Sequence, residues 1–301
     1  MGNSRFDNDA YRSYSSTHNL DTASRDQIFL SRHMPQALDP TKIVLRESCD
    51  SVANPNSTPI ILGLDVTGSM GFVAQNIATK NLPKLMERIY ETQPITDPHV
   101  MFMGIGDVTC DNGPLQVSQF EAGSIELIAQ LRELWLEGGG GGNSYESYDL
   151  PWYFAAHKTA IDSHNKRGKK GYIFTMGDEH PPTRALTASD VRRVFNNRDL
   201  PAPPDSVEKL LELVQEKYRV FHLVIEEGNF ARGHLSAVRN SWTELLGPNA
   251  IFVRDIRFLP DIICAALAVA EGSDLTTIIE EAGQAQSELV YAFKNLIRSE
   301  V

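Results

Sequence analysis

The run from Asp65 to Met70 holds the residue types that could do chemistry in this 301-residue chain. Asp65 is followed by hydroxyl side chains at alternate positions, Thr67 and Ser69, with Gly68 between them. Carboxylate and hydroxyl oxygens are the ligands that a small hard cation such as Mg²⁺ prefers, and Mg²⁺ usually takes only one or two carboxylates from protein. Because consecutive polar residues of this kind do not pack favourably in an apolar core, the run predicts a cation site.

An apolar run precedes this motif and must position it. Residues 60–64 read as a strand that is buried on both faces, and helical spacing follows from residue 72. In an open α/β sheet, ligands bind at the carboxyl ends of the parallel strands, which is where Asp65 would lie. The alternative, that Asp65 or Ser69 only caps the following helix, stays open at this point.

Strand-like and helical segments alternate along the rest of the chain. The predicted strands are 59–64, 99–105, 114–120, 171–176, 219–225 and 250–254. The predicted helices are 72–91, 124–136, 150–164, 187–196, 205–217, 259–271 and 274–298. This alternation predicts an α/β fold with a doubly wound, mostly parallel six-stranded sheet and helices on both faces. Because only a short loop separates 99–105 from 114–120, one strand is predicted to be antiparallel.

Further polar residues follow other strands. Asp107 and Asp111 lie in the loop after 99–105, where a solvated loop is the simpler interpretation, and Asp178 follows 171–176. A five-glycine loop leads to Asn143 and Ser144 at the start of the next helix, where their oxygens could cap the helix or reach an ion. Glu146 shares that position in the sequence. Acids at several strand ends predict a negative field suited to a cation.

Three regions are predicted along the chain. Residues 1–54 are rich in Ser, Asn and Asp with little periodicity, which predicts a flexible N-terminal arm. The alternating elements define a domain over 55–271. Residues 272–301 carry apolar positions at roughly helical intervals, which predicts a C-terminal helix packed on the domain.

The composition limits the classes of function. A net charge of −11 argues against nucleic acid or an anionic membrane surface as the main partner. Three cysteines without CxxC spacing favour a reducing compartment over disulfides or zinc. The polar N-terminus lacks the apolar segment of a secretory signal, and no apolar run reaches the roughly 18 residues of a membrane span. We therefore predict a cytoplasmic protein without membrane or nucleic-acid partners.

The run Leu64-Asp65-Val66-Thr67-Gly68-Ser69-Met70-Gly71 resembles the first motif of the von Willebrand factor A (vWA) domain family, D-x-[ST]-x-S. Together with the order of elements, the resemblance covers roughly residues 57–271. It implies a metal-ion-dependent adhesion site in which Asp65, Thr67 and Ser69 bind Mg²⁺, Mn²⁺ or Ca²⁺. The family's second loop is similar to the segment after Gly142, which makes Asn143 the match and Ser144 the alternative.

The third family element departs from the pattern. The family has Thr-Asp-Gly after its fourth strand, whereas this chain has Thr175-Met176-Gly177-Asp178, with Met176 in the place of the acid. Asp178 is the residue that could reach back to replace it. The site is therefore expected to consist of Asp65, Thr67, Ser69, Asn143 or Ser144, and Asp178.

The resemblance implies a function without catalysis. In the family, the metal keeps an open position for a carboxylate of a protein partner, and intracellular relatives act as adaptors, some with ring-forming ATPases. The expected function is therefore an intracellular, metal-dependent protein-binding module whose partner exposes an Asp or Glu, with an ATPase-containing assembly as a family-level expectation. The alternative is a phosphoryl-transfer enzyme, because residues 65–69 also resemble the nucleophile loop of haloacid-dehalogenase-like phosphatases, with Asp65 as the nucleophile.

Overall fold

Two β-sheets organise the chain. The computed structural model describes residues 4–68, 70–138, 146–197 and 199–299. The strands are β1 (Arg46–Ser48), β2 (Thr58–Asp65), β3 (Pro98–Ile105), β4 (Leu115–Val117), β5 (Thr159–Ile161), β6 (Gly171–Gly177), β7 (Tyr218–Ile225) and β8 (Ala250–Val253).

Helices of 4 to 18 residues connect and flank these strands. The α-helices are α1 (Asn8–Thr17), α2 (Arg25–Ile28), α3 (Gly71–Asn76), α4 (Leu82–Thr92), α5 (Ser124–Arg132), α6 (Asp149–Lys158), α7 (Asp162–Arg167), α8 (Ala188–Phe195), α9 (Val207–Gln215), α10 (Asn229–Leu246), α11 (Leu259–Ala270), α12 (Leu275–Glu281), α13 (Gln286–Ala292) and α14 (Lys294–Ser299). A π-helical turn, Ile77–Asn81, joins α3 to α4.

The larger sheet has six strands in the order β4, β3, β2, β6, β7, β8. Neighbouring strands are parallel except for β3 and β4, which are antiparallel. The predicted six-stranded, mostly parallel sheet with one antiparallel strand is therefore confirmed. After β2 the chain adds β3 and β4 on one side, and β6, β7 and β8 then follow on the other side. The strand order thus reverses between β2 and β6.

Alternate residues of the strands enter two apolar clusters. The first core contains Ile60, Leu62 and Leu64 of β2, whereas the second core contains Ile61 between them. This alternation follows from the two-residue period of a strand. Side chains from α3, α4, α5 and α11 contribute to the first core, and side chains from α6, α8, α9 and α10 contribute to the second. Both clusters therefore hold the sheet, and with it the carboxyl ends of β2 and β6.

The N-terminal region differs from the expected flexible arm. Residues 4–54 include α1, α2 and β1, and β1 pairs in parallel with β5 as a separate two-stranded sheet. Tyr11, Ile28 and Phe29 are at most 2% exposed and belong to the first core. The Arg132 guanidinium donates a hydrogen bond to the Ile28 carbonyl at 3.1 Å. Their burial depends on contacts with distant parts of the chain, which local periodicity does not reveal.

Three other segments also differ in detail from the sequence-based expectations. The predicted helix over 150–164 is interrupted by β5, because residues 159–161 pair with β1. The predicted helix over 274–298 is divided into α12, α13 and α14, and Gly283 adopts a φ of 55° between the first two. The 18-residue helix α10 had no counterpart among the expected elements.

None of the helices in the described ranges is both long enough and apolar enough to cross a membrane.

Candidate metal centre

Asp65 is the last residue of β2, and hydrogen bonds fix its carboxylate from two sides. Its side chain is buried, with 1% of the residue exposed. Oδ1 accepts hydrogen bonds from the Thr67 backbone N–H at 2.9 Å and from the Thr67 hydroxyl at 2.5 Å. The Tyr148 hydroxyl donates to Oδ2 at 3.2 Å. A carboxylate has about four lone-pair sites, so Asp65 retains acceptor capacity for a cation.

Tyr148 is placed by a group of buried aromatic rings. It packs edge-on against Trp242 and His222, with ring centroids 5.4 and 4.8 Å apart. The His222 and Trp242 rings stack at 3.5 Å with an angle of 5° between their planes. A Cβ on Gly177 would lie 1.8 Å from the Tyr148 hydroxyl oxygen, so a side chain at this position would displace the phenol. The hydrogen bond to Asp65 therefore depends on a preformed aromatic wall.

Asp178 follows β6 directly and is shared between α10 and the site. Its Oδ2 accepts the Phe230 backbone N–H at 2.8 Å, which satisfies one of the free donors at the start of α10. Its Oδ1 is buried and has no hydrogen-bond partner among the described residues. Because a Cβ on Gly228 would lie 2.3 Å from the Asp178 side chain, the backbone approaches the carboxylate closely. One oxygen thus serves the helix, and the other makes no hydrogen bond to a described residue.

Two glutamates complete the group that we call the acidic cluster, which consists of Asp65, Glu146, Asp178 and Glu179. Glu146 is 2% exposed, and its Oε2 and the Oε2 of Glu179 are buried without a hydrogen-bond partner among the described residues. Burial, followed by the negative charges of Asp65 and Glu179, raises the pKa of Glu146 well above its usual range. Burial and the charges of Asp65 and Asp178 raise the pKa of Glu179 to about 7.

The pKa of Asp65 is raised, as are the pKa values of Glu146 and Glu179. Burial raises the pKa of Asp65, and the negative charge of Asp178 raises it further, against the hydrogen bonds from Thr67 and Tyr148. Within the described ranges, no Lys, Arg or His forms an ion pair with a member of the acidic cluster. The cluster therefore gathers acidic groups that no described cationic side chain compensates.

The loop after β3 uses its acids locally. The Asp107 carboxylate accepts the backbone N–H and the hydroxyl of Thr109, both at 2.7 Å, and Asp111 accepts the Asp107 backbone N–H at 2.7 Å. The Arg193 guanidinium donates to the carbonyls of Val108 and Asp111. These contacts shape the loop, while the charge of Asp107 also contributes to the raised pKa values of both glutamates in the acidic cluster.

The structure brings Asp65, Thr67 and Asp178 to the same edge of the sheet, because β2 and β6 are paired neighbours. Ser69, Asn143 and Ser144 lie outside the described residues. Met176, which stands where the family's acid would be, is buried in the first core.

Two further side chains lie at the site. Glu179 was visible as an acid after a strand, and only the phosphoryl-transfer alternative would use it. Tyr148 belongs to no recognised motif. Its hydroxyl reaches Asp65 through space that Gly177, which lacks a side chain, leaves open. Glu146 had been noted as a side chain that could reach an ion, and it is buried.

The acidic cluster is not a preformed cage. Among the residues that the structure describes, no three His, Cys, Asp or Glu side chains are arranged to hold a metal ion. A magnesium site needs only one or two protein carboxylates, with hydroxyls and water as the other ligands. Asp178 has an unpartnered carboxyl oxygen and Thr67 a hydroxyl, and both are oxygen donors of this kind.

Comparisons with known proteins give only distant similarity. No family model and no curated protein matches the chain. It is similar to the pilus adhesin SpaC from Lactobacillus rhamnosus GG in its open conformation, with 11% identity and a TM-score of 0.41 over 78% of this chain and 31% of the adhesin. A second structure of that adhesin has 12% identity and a TM-score of 0.43, over 74% of this chain and 32% of the adhesin. The chain thus spans about a third of the adhesin's length, and a likeness at this level carries no argument about function.

Proposed function

We propose that this chain is a vWA-like, metal-dependent protein-binding module. It binds one divalent cation at the acidic cluster and presents that cation to a carboxylate of a protein partner. The observation that carries the proposal is the set of buried carboxyl oxygens without hydrogen-bond partners, which belong to Asp178, Glu146 and Glu179. Asp65, Thr67, Ser69 and Asn143 or Ser144 complete the expected ligand set.

The cost of an uncompensated buried charge supports a cation rather than empty space. A buried carboxylate costs several kcal/mol unless a charge or hydrogen bonds compensate for it. The acidic cluster holds four carboxyl groups whose pKa values are raised by burial, so their charged forms are disfavoured without a cation, and hydrogen bonds within the described residues serve only some of their oxygens. A hard divalent cation offsets this repulsion, and the all-oxygen donor set favours Mg²⁺ or Mn²⁺, with Ca²⁺ as a further candidate.

The topology also supports this location. Open α/β sheets bind ligands at the carboxyl ends of their strands, in the crevice where the strand order reverses. In the proposed doubly wound arrangement that crevice lies between β2 and β6, and Asp65 and Asp178 are the acids that follow these two strands. The position of the acids therefore agrees with the general rule for this class of sheet.

The partner follows from the chemistry of the ion. A cation that keeps an open position and few protein carboxylates retains enough positive charge to bind an external carboxylate. The partner is therefore a protein with an exposed Asp or Glu, and an ATPase-containing assembly is implied only by the resemblance. The three cysteines, Cys49, Cys110 and Cys264, are free, which supports a reducing compartment and hence the proposed cytoplasmic location.

Calorimetric titration with Mn²⁺ and Mg²⁺ tests the proposal. The wild type should bind one ion per chain, and Asp65→Asn should abolish binding because it removes the ligand charge while keeping the side-chain shape. Asp205→Asn, an exposed acid of the loop before α9, is the matched control and should leave binding unchanged. Absence of binding to the wild type at millimolar metal would overturn the proposal.

The protein-binding part has its own experiment. The immobilised protein should retain Asp- and Glu-containing peptides in Mg²⁺, and EDTA or Asp65→Asn should release them. Retention that survives EDTA would contradict a metal-mediated contact. Release of phosphate from a generic phosphoester, lost in Asp65→Asn, would favour the haloacid-dehalogenase-like alternative instead.

A further inference from the structure

A cavity of about 310 Å³ opens at the opposite edge of the large sheet from the acidic cluster. It lies at the amino ends of β6, β7 and β8, where Lys170, Arg219 and Asn249 line it. Small-molecule sites in proteins usually occupy about 300–1,000 Å³, so this cavity is large enough for a small ligand. Neither the vWA resemblance nor the proposed metal site assigns it a role.

Strand periodicity places the polar residues of the cavity on one face. Arg219 lies two residues before Phe221 on β7, and Lys170 lies two residues before Tyr172 of β6. Residues two apart on a strand point to the same side, and Phe221 and Tyr172 both belong to the first core. In the parallel pairing of β6 and β7, Arg219 lies opposite Tyr172, so Lys170 precedes that position by two residues at the same end of the sheet.

These cations lack partners in the described part of the chain. Neither the Lys170 ammonium nor the Arg219 guanidinium makes an ion pair or a side-chain hydrogen bond to a described residue. The acid Glu271 accepts the Tyr172 hydroxyl and is not among the residues that line the cavity. In a chain with a net charge of −11, two cations without ion pairs that line one cavity are suited to an anion.

Apolar side chains form part of the cavity wall. Phe221 and Phe293 are 6% and 3% exposed and line it, while Ala266 and Ala270 line it from α11. The two alanines are four residues apart and therefore lie on the same face of the helix. Their methyl groups leave space that a larger side chain would fill. The cavity thus combines a cationic opening with an apolar wall.

We propose that this cavity binds an amphipathic monocarboxylate. Its carboxylate would lie between Lys170 and Arg219, and its aliphatic chain would pack against Phe221 and the alanines of α11. Arginine and lysine form charge-assisted hydrogen bonds with carboxylates, while the apolar chain gains from leaving water. This inference does not rest on the proposed metal function, since the cavity and the acidic cluster lie at opposite edges of the sheet.

The experiment uses decanoate as the probe. Decanol, which has the chain without the carboxylate, and acetate, which has the carboxylate without the chain, are the comparison compounds. Calorimetric titration of the full chain should show decanoate binding, much weaker binding of decanol, which lacks the charge, and none of acetate, which lacks the chain. Binding should persist in EDTA. Equal binding of decanol and decanoate, or no binding of decanoate to the wild type, would overturn the proposal.

Substitutions in and near the cavity test whether decanoate binds there. Arg219→Glu reverses one charge at an exposed position and should weaken decanoate binding about tenfold or more. Lys169→Ala, at an exposed neighbour that does not line this cavity, should leave binding unchanged. Ala266→Leu should fill the cavity and block binding, and Arg219→Glu keeps the test decisive if that core variant does not fold. Unchanged binding to Arg219→Glu would contradict the assigned position of the carboxylate.

Discussion

In the acidic cluster, hydrogen bonds fix the side chain of Asp65 without the help of an ion. Both oxygens of Asp65 already accept hydrogen bonds, from Thr67 on one side and Tyr148 on the other. Partners of this kind orient a ligand and commonly change metal affinity by about 10–100-fold when they are removed. The residue that most directly tests this positioning is Tyr148, because it contacts Asp65 without being a proposed ligand.

Tyr148→Phe should weaken Mn²⁺ binding about tenfold while the protein remains folded. The phenylalanine ring keeps the aromatic contacts with Trp242 and His222 but removes the donor to Asp65. Calorimetric titration measures the affinity. Tyr153→Phe is the control, because that hydroxyl donates to the Pro201 carbonyl instead. Equal losses in both variants would contradict a specific role for the hydrogen bond between Tyr148 and Asp65.

His99 of β3 predicts a pH dependence of stability that does not involve the acidic cluster. It is 1% exposed, and burial lowers its pKa to about 4 from the ordinary 6.5. Because the folded pKa is depressed, protonation favours the unfolded chain, and stability falls as the pH drops below the unfolded value. Between about pH 7 and pH 5 this single group should remove roughly 2 kcal/mol.

Urea unfolding of the wild type and His99→Gln at these two pH values measures that contribution. The variant should lose less stability than the wild type on acidification, and the difference isolates His99 because other titrating groups are common to both proteins. An identical pH dependence in the two proteins would contradict a neutral buried imidazole.

Among the elements, α2 shows how much the N-terminal region contributes. Ile28 is fully buried in the first core, whereas Leu30, two residues later, is 61% exposed. Ile28→Ala should lower the free energy of unfolding by about 2–5 kcal/mol. Leu30→Ala should change it by less than about 0.5 kcal/mol. Urea unfolding distinguishes them, and equal small effects would favour the flexible arm that the sequence suggested.

The strands were predictable because buried parallel strands are continuous apolar runs, as residues 60–64 illustrate. Short elements were not predictable where pairing with distant residues creates them, as for β1 with β5. The site residues likewise divide into those that local sequence reveals and those that depend on distant contacts. Asp65, Thr67 and Asp178 could be named because they follow strands, whereas the contact of Tyr148 with Asp65 depends on Gly177, which lies 29 residues away and leaves space for the phenol.

The stability of the whole molecule should depend on the cation. Without metal, Asp65→Asn should be more stable than the wild type, since asparagine can still accept from Thr67 and removes one buried negative charge. With Mg²⁺, the wild type should gain RT ln(1 + [Mg²⁺]/Kd), about 2.7 kcal/mol at a hundredfold excess over Kd, and the variant should gain nothing. Asp65→Asn should therefore be the more stable protein without metal, and the wild type should be the more stable one in Mg²⁺.

Thermal unfolding in EDTA and in Mg²⁺ measures both differences with the same samples. Asp205→Asn is again the control and should follow the wild type in each condition. A wild type that is more stable than Asp65→Asn even in EDTA would show that the acidic cluster carries no uncompensated charge.

The most direct test of the central claim is a crystal structure of the full chain grown with Mn²⁺ and recorded with anomalous scattering. Our account predicts one anomalous peak at the edge of the sheet, in contact with the Thr67 hydroxyl or the Asp65 carboxylate and with the unpartnered oxygen of Asp178. A crystal saturated with Mn²⁺ that shows no peak there, or shows the metal bound only elsewhere, would contradict it.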